Sequence, residues 1–386
     1  MAQTHPKSIT ILGATGSIGS STIDIILKNP SLFTVTAIVA NNNYKKLITF
    51  AKKLLPQYIC IINTQHVTKI KESLSSLNIN ILSGQDGLND ICQIKVDICI
   101  SAIMGFSGFS PTVKMIENCS LLAIANKESI ICGGELFINH CKAYNTKIIP
   151  LDSEHNSIYQ ILQHDNNNDI DEIFLTASGG PFLNKSLAEL NKVTIKQALN
   201  HPNWKMGKKI TIDSATLINK GLEIIETYFL FNINKKKINA IIHPESIIHA
   251  LVSFNDGSIK SFLSIPDMRI PIAHALGYPH RIKQQKLSLN INKLSSLNFK
   301  TPEKNLKHKA INIAKEVLAE EGIMPIVFNA ANEVFVNMFL AEKIKFTDIV
   351  INIEKILNKV SNSKIENFQH IYDTDNEIRQ LSYSII

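Results

Sequence analysis

Two carboxylates flank a serine in the stretch LDSEHNS, residues 151–157, where the apolar segment KIIPL ends. Side chains two positions apart on an extended backbone project to the same face, so Asp152 and Glu154 can converge on one point. Such oxygen ligands suit a hard divalent cation, which usually needs a third group from elsewhere in the chain. A helix start is the alternative, because Asp152 or Ser153 suits an N-cap and Glu154 suits the first turn.

A third ligand is available in the stretch SATLINKGLEIIE, residues 214–226, where Glu223 and Glu226 both qualify. On a helix, Asn219, Lys220 and Glu223 share one face through i, i+3 and i, i+4 spacing. That face would combine an amide and an amine that bind phosphate with an acid that binds a metal ion. Surface ion pairs have the same spacing, so the pattern leaves both interpretations open.

The stretch ITILGATGSIGSSTIDIIL places Gly13, Gly16 and Gly19 between an apolar strand and an amphipathic helix. Glycines allow a tight turn there, and they let backbone amides and the helix N-terminus approach a pyrophosphate. A dinucleotide is the expected ligand. The alternative is a tight turn that binds nothing.

The segment VANNNYKKL, at the end of the second predicted strand, indicates which dinucleotide to expect. NAD enzymes usually offer an acid to the ribose hydroxyls at this point. This chain has Asn41-Asn42-Asn43 followed by Lys45 and Lys46, which suit a 2'-phosphate. The sequence therefore predicts a preference for NADPH over NADH, unless the segment is only a solvated loop.

The segment AIANKESIICGGEL places Asn126, Lys127 and Glu128 just past a predicted strand, where ligands bind in open α/β sheets. Lys127 suits a substrate hydroxyl, and its two neighbours suit the nicotinamide ribose. An ordinary polar helix start explains the same residues.

Two more segments suggest a phosphate site and a lid. In TASGGPF, Ser178-Gly179-Gly180 is typical of a small anion-binding turn. The stretch HPNWKMGKK, which holds His201 and the sole tryptophan, Trp204, would form a lid whose indole covers a substrate. A tryptophan buried in the core is the alternative.

The elements that must position these residues follow a clear alternation. Up to Leu151, helix-length segments separate seven Ile- and Val-rich runs: SITIL, FTVTAIV, YICII, NINIL, VDICISA, SLLAIA and TKIIPL. This pattern predicts an α/β fold with a Rossmann-like, doubly wound parallel sheet in an NADPH-binding domain at 1–150. We expect a central α+β catalytic domain at 151–290, with a hairpin turning at Asn255-Asp256-Gly257. A linker at 291–304 and a C-terminal helical bundle at 305–386 complete the prediction, the last helix being short and following YDTDNE.

Composition excludes several classes of protein. With 386 residues, 45% hydrophobic and 19% charged, the chain reads as globular, and its apolar runs fall short of the roughly 20 residues of a membrane span. The net charge of +7 comes from scattered lysines, which argues against a nucleic-acid partner.

The N-terminus resembles neither a signal nor a transit peptide. The cysteines never form CxxC, which indicates reduced thiols in the cytoplasm. They are Cys60, Cys92, Cys99, Cys119, Cys132 and Cys141.

Taken in order, these motifs resemble the 1-deoxy-D-xylulose 5-phosphate reductoisomerase family over essentially the whole chain. The matching stretches are GATGSIG, ANKES, DSEHN, SGGPF, HPNWKMG, DSATLINKGLE, HPESIIHA, PDMRIPIAHAL and NAANEV. The resemblance implies an NADPH-dependent oxidoreductase that rearranges 1-deoxy-D-xylulose 5-phosphate and reduces the product to 2-C-methyl-D-erythritol 4-phosphate, in the non-mevalonate isoprenoid pathway. It also implies a small-molecule sugar phosphate substrate, a homodimer, and no membrane partner.

The resemblance carries residue roles with it. The Mg2+ or Mn2+ ligands would be Asp152, Glu154 and Glu223, and catalysis would also use Lys127 and His201. Substrate contacts would come from Lys127, Ser153, Ser178, His201, Trp204, Ser214, Asn219 and Lys220. NADPH contacts would come from Thr15, Gly16, Ser17, Ile18, Asn43, Asn126, Glu128 and Gly207.

One departure and two rival interpretations remain. Related sequences often have Gly-Lys-Asn or Gly-Arg-Asn where this chain has Asn41-Asn42-Asn43, so either Lys45 or Lys46 substitutes or the NADPH selectivity is relaxed. A semialdehyde dehydrogenase would need a thiolate, for which Cys132 beside two glycines is the candidate. An NADPH-sensing binding protein would have no use for the three carboxylates.

Overall fold

A computed structural model describes residues 5–204, 206–284, 287–303 and 308–385. The chain forms two compact units. The first unit comprises Met1–Ser129, Asn139–Ser153 and Met268–Gln285. The second comprises Ile130–Ile138, Glu154–Asp267 and Lys286–Ile386. The division expected at 150, 290 and 304 remains a prediction.

The first unit is built on a sheet of seven parallel strands among the described residues. The strands are β1 Lys7–Leu12, β2 Phe33–Ala40, β3 Tyr58–Ile61, β4 Asn80–Ser83, β5 Val96–Ser101, β6 Cys119–Ile124 and β7 Lys147–Pro150. Their order is β4-β3-β2-β1-β5-β6-β7, so the connections reverse direction between β1 and β5. In such sheets the crevice at the carboxyl ends of the two central strands is where ligands bind.

Helices accompany this sheet. They are α1 Ser17–Lys28, α2 Tyr44–Leu54, α3 Val67–Leu74, α4 Gly84–Cys92, α5 Phe109–Ile116, α6 Lys127–Ala143 and α12 Arg269–Gly277. α6 is kinked at Gly134, and its residues Ile130–Ile138 belong to the second unit. The central strand β1 is buried from Ile9 to Leu12 because it is covered on both faces, which explains its continuous apolar run. The predicted Rossmann-like fold class is confirmed.

The second unit has a mixed sheet of four strands in the described chain, in the order β11-β10-β8-β9. The strands are β8 Ile170–Ala177, β9 Ile238–Ile242, β10 Ile248–Phe254 and β11 Ile259–Leu263. β10 and β11 pair antiparallel across the turn at Asn255-Asp256-Gly257, as the sequence predicts. Gly257 has φ 84°, a conformation that favours glycine at this turn.

Helices surround this second sheet and continue to the C-terminus. They are α7 Ser153–Ile161, α8 Leu187–Leu190, α9 Ile195–Ala198, α10 Lys208–Ala215, α11 Ile218–Phe231, α13 Lys309–Glu320, α14 Met324–Leu340, α15 Asp348–Leu357 and α16 Phe368–Ser384. None of the helices in the described ranges is long and apolar enough to cross a membrane.

The prediction for the last helix was wrong. α16 contains YDTDNE instead of following it, and it has 17 residues. Asn367 caps it by accepting a hydrogen bond from the backbone N–H of His370 at 2.9 Å. Ile371 and Ile378 are buried seven residues apart on one face, so packing extends the helix through a polar stretch.

The segment expected as a loose linker is partly ordered by hydrogen bonds. Lys300 exchanges two backbone hydrogen bonds with Ile242, the last residue of β9, at 2.8 and 2.9 Å. Residues 291–293 form a single turn of 3-10 helix. Lys304, the end of that segment, lies outside the described residues.

Candidate active site

The glycine-rich turn joins β1 to α1 in the first unit. Gly13 has φ 82°, and a Cβ there would collide with the carbonyl oxygen of Ala102. A Cβ at Gly19 would lie 2.5 Å from the Cα of Ala14. Both positions therefore require glycine so that the turn can close. The first turn of α1 begins at Ser17 with Gly16 at the N-cap and no side-chain cap, which suits an anion.

The turn after β2 lies against this glycine loop. The side chain of Asn43 caps α2 by accepting a hydrogen bond from the backbone N–H of Lys46 at 3.2 Å. The Nζ of Lys46 donates to the carbonyl oxygen of Thr15 at 2.9 Å. A lysine ammonium is thus anchored beside the dinucleotide turn, whereas Lys45 is exposed. This position suits the 2'-phosphate contact that the departure at Asn41-Asn42-Asn43 had put in question.

Asn126 begins α6 as a true helix cap. Its Oδ1 accepts from the backbone N–H of Ser129 at 2.9 Å, and its Nδ2 donates to the carbonyl oxygens of Ile103 and Gly105. Lys127, which is 5% exposed, places Nζ 2.6 Å from Oδ2 of Asp152. Glu128 is also buried and accepts from Asn126 Nδ2 at 3.3 Å. The alternative of an ordinary helix start is therefore present here, and the ligand contacts of these three residues stay a prediction.

Two carboxylates of the second unit meet around one lysine. The Nζ of Lys220 lies 2.8 Å from Oε1 of Glu154 and also contacts Oε2 of Glu223. Asn219 donates to the other oxygen of Glu223. Lys220 is 3% exposed and Glu223 1%. Asp152 lies two residues before Glu154 in the chain. Carboxylate oxygens held close together, with excess negative charge, form a donor set that fits Mg2+ or Mn2+.

The structure separates the two acids of α11 that spacing left equivalent. Glu226 is 1% exposed, and its Oε2 lies 3.3 Å from Nδ1 of His155. The Nε2 of His155 lies 3.0 Å from the carbonyl oxygen of Glu223 and 3.0 Å from Oγ1 of Thr227. Glu226 is therefore engaged by a buried histidine that the sequence analysis did not assign. Its position directly after DSE was the available signal.

The residues predicted to form an anion-binding turn, Ser178-Gly179-Gly180, directly follow β8. Gly179 and Gly180 have φ 83° and 66°. The backbone N–H of Gly180 donates to Oγ of Ser178 at 3.1 Å. A Cβ on Gly180 would lie 2.9 Å from the carbonyl oxygen of Ser214, so the turn packs closely on the end of α10. This packing brings Ser178 and Ser214, two of the predicted phosphate ligands, into one neighbourhood.

His201 is held in one tautomer. Its Nδ1 accepts hydrogen bonds from the backbone N–H groups of Asn203 and Trp204 at 3.1 and 3.0 Å. Burial lowers the pKa of His201 to about 4, so the ring is neutral and its proton is on Nε2. That nitrogen lies 3.0 Å from Oγ of Ser178 and donates to it. Because Ser178 accepts this bond, its own hydroxyl proton suits donation to an anion.

Trp204 is neither fully buried nor fully exposed. Its indole meets the ring of His249 edge-on, with 6.2 Å between ring centroids. The neighbouring Asn203 donates through Nδ2 to the carbonyl oxygen of Pro244 at 2.7 Å. Lys205 lies outside the described residues, and Gly207 is the N-cap of α10. The structure thus places the predicted lid segment directly before the helix that carries Ser214.

A doubly wound dinucleotide fold, a buried carboxylate centre and an anion-binding turn define the class as dinucleotide-dependent oxidoreductases. Family models named for 1-deoxy-D-xylulose 5-phosphate reductoisomerase match residues 9–134, and models of its C-terminal domains match 148–231 and 263–381. The chain belongs to the 1-deoxy-D-xylulose 5-phosphate reductoisomerase family. The resemblance seen in the motifs is confirmed.

Relatives match along nearly their full length. The reductoisomerase of Clostridium novyi is 43% identical over 97% of both chains. That of Phocaeicola vulgatus is 40% identical over 98% of this chain and 99% of its own. The reductoisomerase from Zymomonas mobilis, solved in complex with NADPH, is 38% identical with a TM-score of 0.92 over 99% of each chain. A reductoisomerase complex with NADPH, fosmidomycin and magnesium is 37% identical with a TM-score of 0.92 over 98% of each chain.

Proposed function

We propose that this chain converts 1-deoxy-D-xylulose 5-phosphate to 2-C-methyl-D-erythritol 4-phosphate in the non-mevalonate isoprenoid pathway. The reaction is a metal-dependent rearrangement followed by an NADPH-dependent reduction. Family membership supports it, as do related structures that contain NADPH and magnesium. The observation that carries the proposal is the pair of carboxylates, half-buried Glu154 and buried Glu223, around buried Lys220, because a protein that only binds a dinucleotide has no use for such a centre.

The divalent cation is assigned to Asp152, Glu154 and Glu223. When bound, Mg2+ or Mn2+ would act as a Lewis acid on the substrate's carbonyl and an adjacent hydroxyl. Lys127 reaches Asp152 at 2.6 Å and is nearly buried, so its ammonium suits a substrate oxygen at the reacting centre. Burial of these groups keeps water out and strengthens every charge interaction in the site.

The substrate's phosphate is assigned to hydroxyl and amine donors of the second unit. Ser178 and Ser214 are brought together by the packing of Gly180 against α10. Neutral His201 orients the Ser178 hydroxyl. The remaining substrate contacts are Ser153, Trp204, Asn219 and Lys220. Binding the phosphate away from the reacting carbons supplies energy to orient the sugar and to close the predicted lid HPNWKMG, residues 201–207, over it.

NADPH is assigned to the first unit's glycine-rich turn and its surroundings. Backbone amides at the start of α1 suit the pyrophosphate, and Lys46, anchored on Thr15, suits the 2'-phosphate. The other contacts are Gly16, Ser17, Ile18, Asn43, Asn126, Glu128 and Gly207. Asn126 and Glu128 suit the nicotinamide ribose, since they lie at the carboxyl edge of the sheet.

The assembly is proposed to be a cytoplasmic homodimer. β11 is an edge strand, and its Ile259 and Leu263 are 64% and 40% exposed. Unpaired apolar edges are normally covered, and a second copy of the chain is the partner we expect. All six cysteines are free thiols, which suits a reducing compartment. Light scattering of the purified protein should give twice the mass of the chain, and a monomer would contradict the dimer.

The deciding experiment follows NADPH oxidation spectroscopically with purified protein and 1-deoxy-D-xylulose 5-phosphate. Oxidation should require the sugar phosphate, and it should require Mg2+ or Mn2+. A chelator should abolish it and added cation should restore it. If NADPH oxidation proceeds without a cation, the carboxylate assignment fails. If there is no oxidation with either metal although NADPH binds, the proposed activity fails.

A further inference from the structure

We propose that Asn332, in helix α14, is a positioning residue for phosphate binding. It acts through Asp213, which it holds by a hydrogen bond, and thereby fixes α10 and the neighbouring Ser214. The inference rests on the proposed function, in which Ser214 binds the substrate's phosphate. It extends the site to a helix that has no assigned residue.

The contact joins two buried groups far apart in the sequence. The Nδ2 of Asn332 donates to Oδ1 of Asp213 at 2.9 Å. The other oxygen, Oδ2, lies 3.1 Å from Nζ of Lys209, one turn earlier on α10. Asn332 is fully buried and Asp213 is 1% exposed. A carboxylate so far from water is costly unless it is paired and hydrogen-bonded, so partners such as Asn332 and Lys209 help to determine where it lies.

α10 depends on such contacts because it is short. It has eight residues, fewer than an isolated helix needs to be stable in water. It begins at the predicted lid segment and ends at Ala215, directly after Ser214. A shift of Asp213 therefore shifts the Ser214 hydroxyl by a similar distance, since the two residues are adjacent on one helical turn.

A shift of α10 would also move the neighbouring segment Ser178-Gly179-Gly180. Gly180 packs on the carbonyl oxygen of Ser214 so closely that a Cβ would lie 2.9 Å from it. Ser178, in that segment, receives a hydrogen bond from His201 at 3.0 Å. Both serines thus take their position from α10. Hydrogen-bond donors to a phosphate lose much of their effect when displaced by about 1 Å, because hydrogen bonds weaken steeply with geometry.

The test replaces Asn332 with leucine, which has a similar volume and no amide. The Km for 1-deoxy-D-xylulose 5-phosphate should rise about tenfold. The kcat should stay within about twofold of the unchanged protein, because none of the assigned metal ligands lies on α10. If the leucine variant fails to fold, Asn332→Ser is the second variant, and this smaller change should give the same pattern.

Asn329→Leu is the matched control. Asn329 is fully buried on the same helix, and its Nδ2 bonds only weakly, at 3.4 Å, to Glu333. Among the described residues, both asparagines leave Oδ1 without a hydrogen-bond partner. The two variants should therefore lose similar thermal stability, while only the Asn332 variant changes the Km for the sugar phosphate. An equal rise of Km in both would mean general destabilisation and would overturn the proposal.

A double-mutant cycle tests whether the effect passes through Ser214. Ser214→Ala should itself raise the Km for the sugar phosphate, and adding Asn332→Leu should then raise it by clearly less than it does in the unchanged protein, since only the part of the effect that passes through Ser178 is left. Full additivity of the two effects overturns the proposal. No effect of Ser214→Ala also overturns it, and with it the phosphate role of Ser214.

If the unchanged protein has no turnover, the proposed function fails separately. Weaker binding of inorganic phosphate to the Asn332 variant than to the Asn329 variant would then still support the positioning role, and equal binding would overturn it.

Discussion

Glu223 and Glu226 lie one turn apart on α11 and are equally buried, at 1% exposure. Their partners distinguish them. Glu223 meets Lys220 and Asn219, whereas Glu226 meets His155. Both carboxylates thus have a buried basic side chain beside them. Glu223 stays the proposed metal ligand because the family resemblance assigns it, and kinetics of the two variants decide between the acids.

Glu223→Gln should lower kcat by about 10³-fold or more, since an amide is a poor ligand for a hard cation that supplies several kcal/mol. The Kd for NADPH should stay within about twofold. Glu226→Gln should have a much smaller effect on kcat, because Glu226 is not an assigned metal ligand and glutamine keeps the size of the side chain beside His155. Steady-state kinetics and Mn2+ binding followed by electron paramagnetic resonance measure both. A larger loss in the Glu226 variant would reverse the assignment.

His201 should titrate far below the usual range of a histidine. Burial lowers its pKa to about 4, so the fold stabilises the neutral ring. The unfolded chain binds the proton near pH 6.5 and the folded one near 4, so this contribution to stability is complete above pH 6.5. It is lost as the pH falls from 6.5 towards 4. Nuclear magnetic resonance of the ring nitrogens should show the Nε2–H tautomer at neutral pH. A midpoint near 6.5 would contradict this account.

The turn between β1 and α1 depends on the left-handed backbone conformation of one residue, Gly13. Gly13 and Gly257 have nearly the same φ, 82° and 84°. They differ in the space around them, because a Cβ at Gly13 would collide with the backbone of Ala102, whereas a Cβ at Gly257 would meet nothing within 4 Å. An alanine would therefore be strained at both positions, but it would be overpacked only at Gly13.

Gly257→Ala should therefore lower the free energy of unfolding by about 1 kcal/mol, the cost of a left-handed conformation. Gly13→Ala should lower it by about 3 kcal/mol, since overpacking adds to the strain. Urea denaturation measures both values. Only the Gly13 variant should also weaken NADPH binding, because its turn is the one assigned to the pyrophosphate. Equal losses of stability would show that the collision is relieved by movement of β5 or its following loop.

The thiols bear on the activity of the molecule as a whole. All six cysteines are buried, and Cys132 is fully so. Burial raises the pKa of Cys60, Cys92, Cys119 and Cys141 to about 12. A semialdehyde dehydrogenase needs an accessible thiolate nucleophile. The placement of Cys132 does not meet that requirement.

Iodoacetamide at pH 7.5 should accordingly leave the native enzyme fully active over an hour. Thiol titration should find fewer than one reactive group per native chain and all six in denaturant. Adding NADPH before iodoacetamide should not change the activity that remains, because the buried thiols do not react in either case. Rapid inactivation that follows alkylation of Cys132 alone would restore the thiolate mechanism as a candidate.

Much of the architecture was predictable because it rests on local patterns. Seven apolar runs became the seven strands of the first sheet, and the turn at Asn255-Asp256-Gly257 became a hairpin. The family, fold class and reaction that the motifs implied are confirmed. The length of α16 was not predictable, since Ile371 and Ile378 signal a helix only when something packs against them. The individual site residues, the dimer and the use of Mn2+ stay predictions.

Residue types and their order along the chain were enough to determine the alternating fold, the glycine-rich turn and the set of acids and donors available for chemistry. Only the tertiary structure decided which of those groups meet. It paired Glu226 with His155, placed Lys220 between Glu154 and Glu223, and joined Asn332 to Asp213. The physical reason is that backbone periodicity is local, whereas the partners of a buried charge come from distant segments. Desolvation penalises every arrangement that leaves such a charge unpaired.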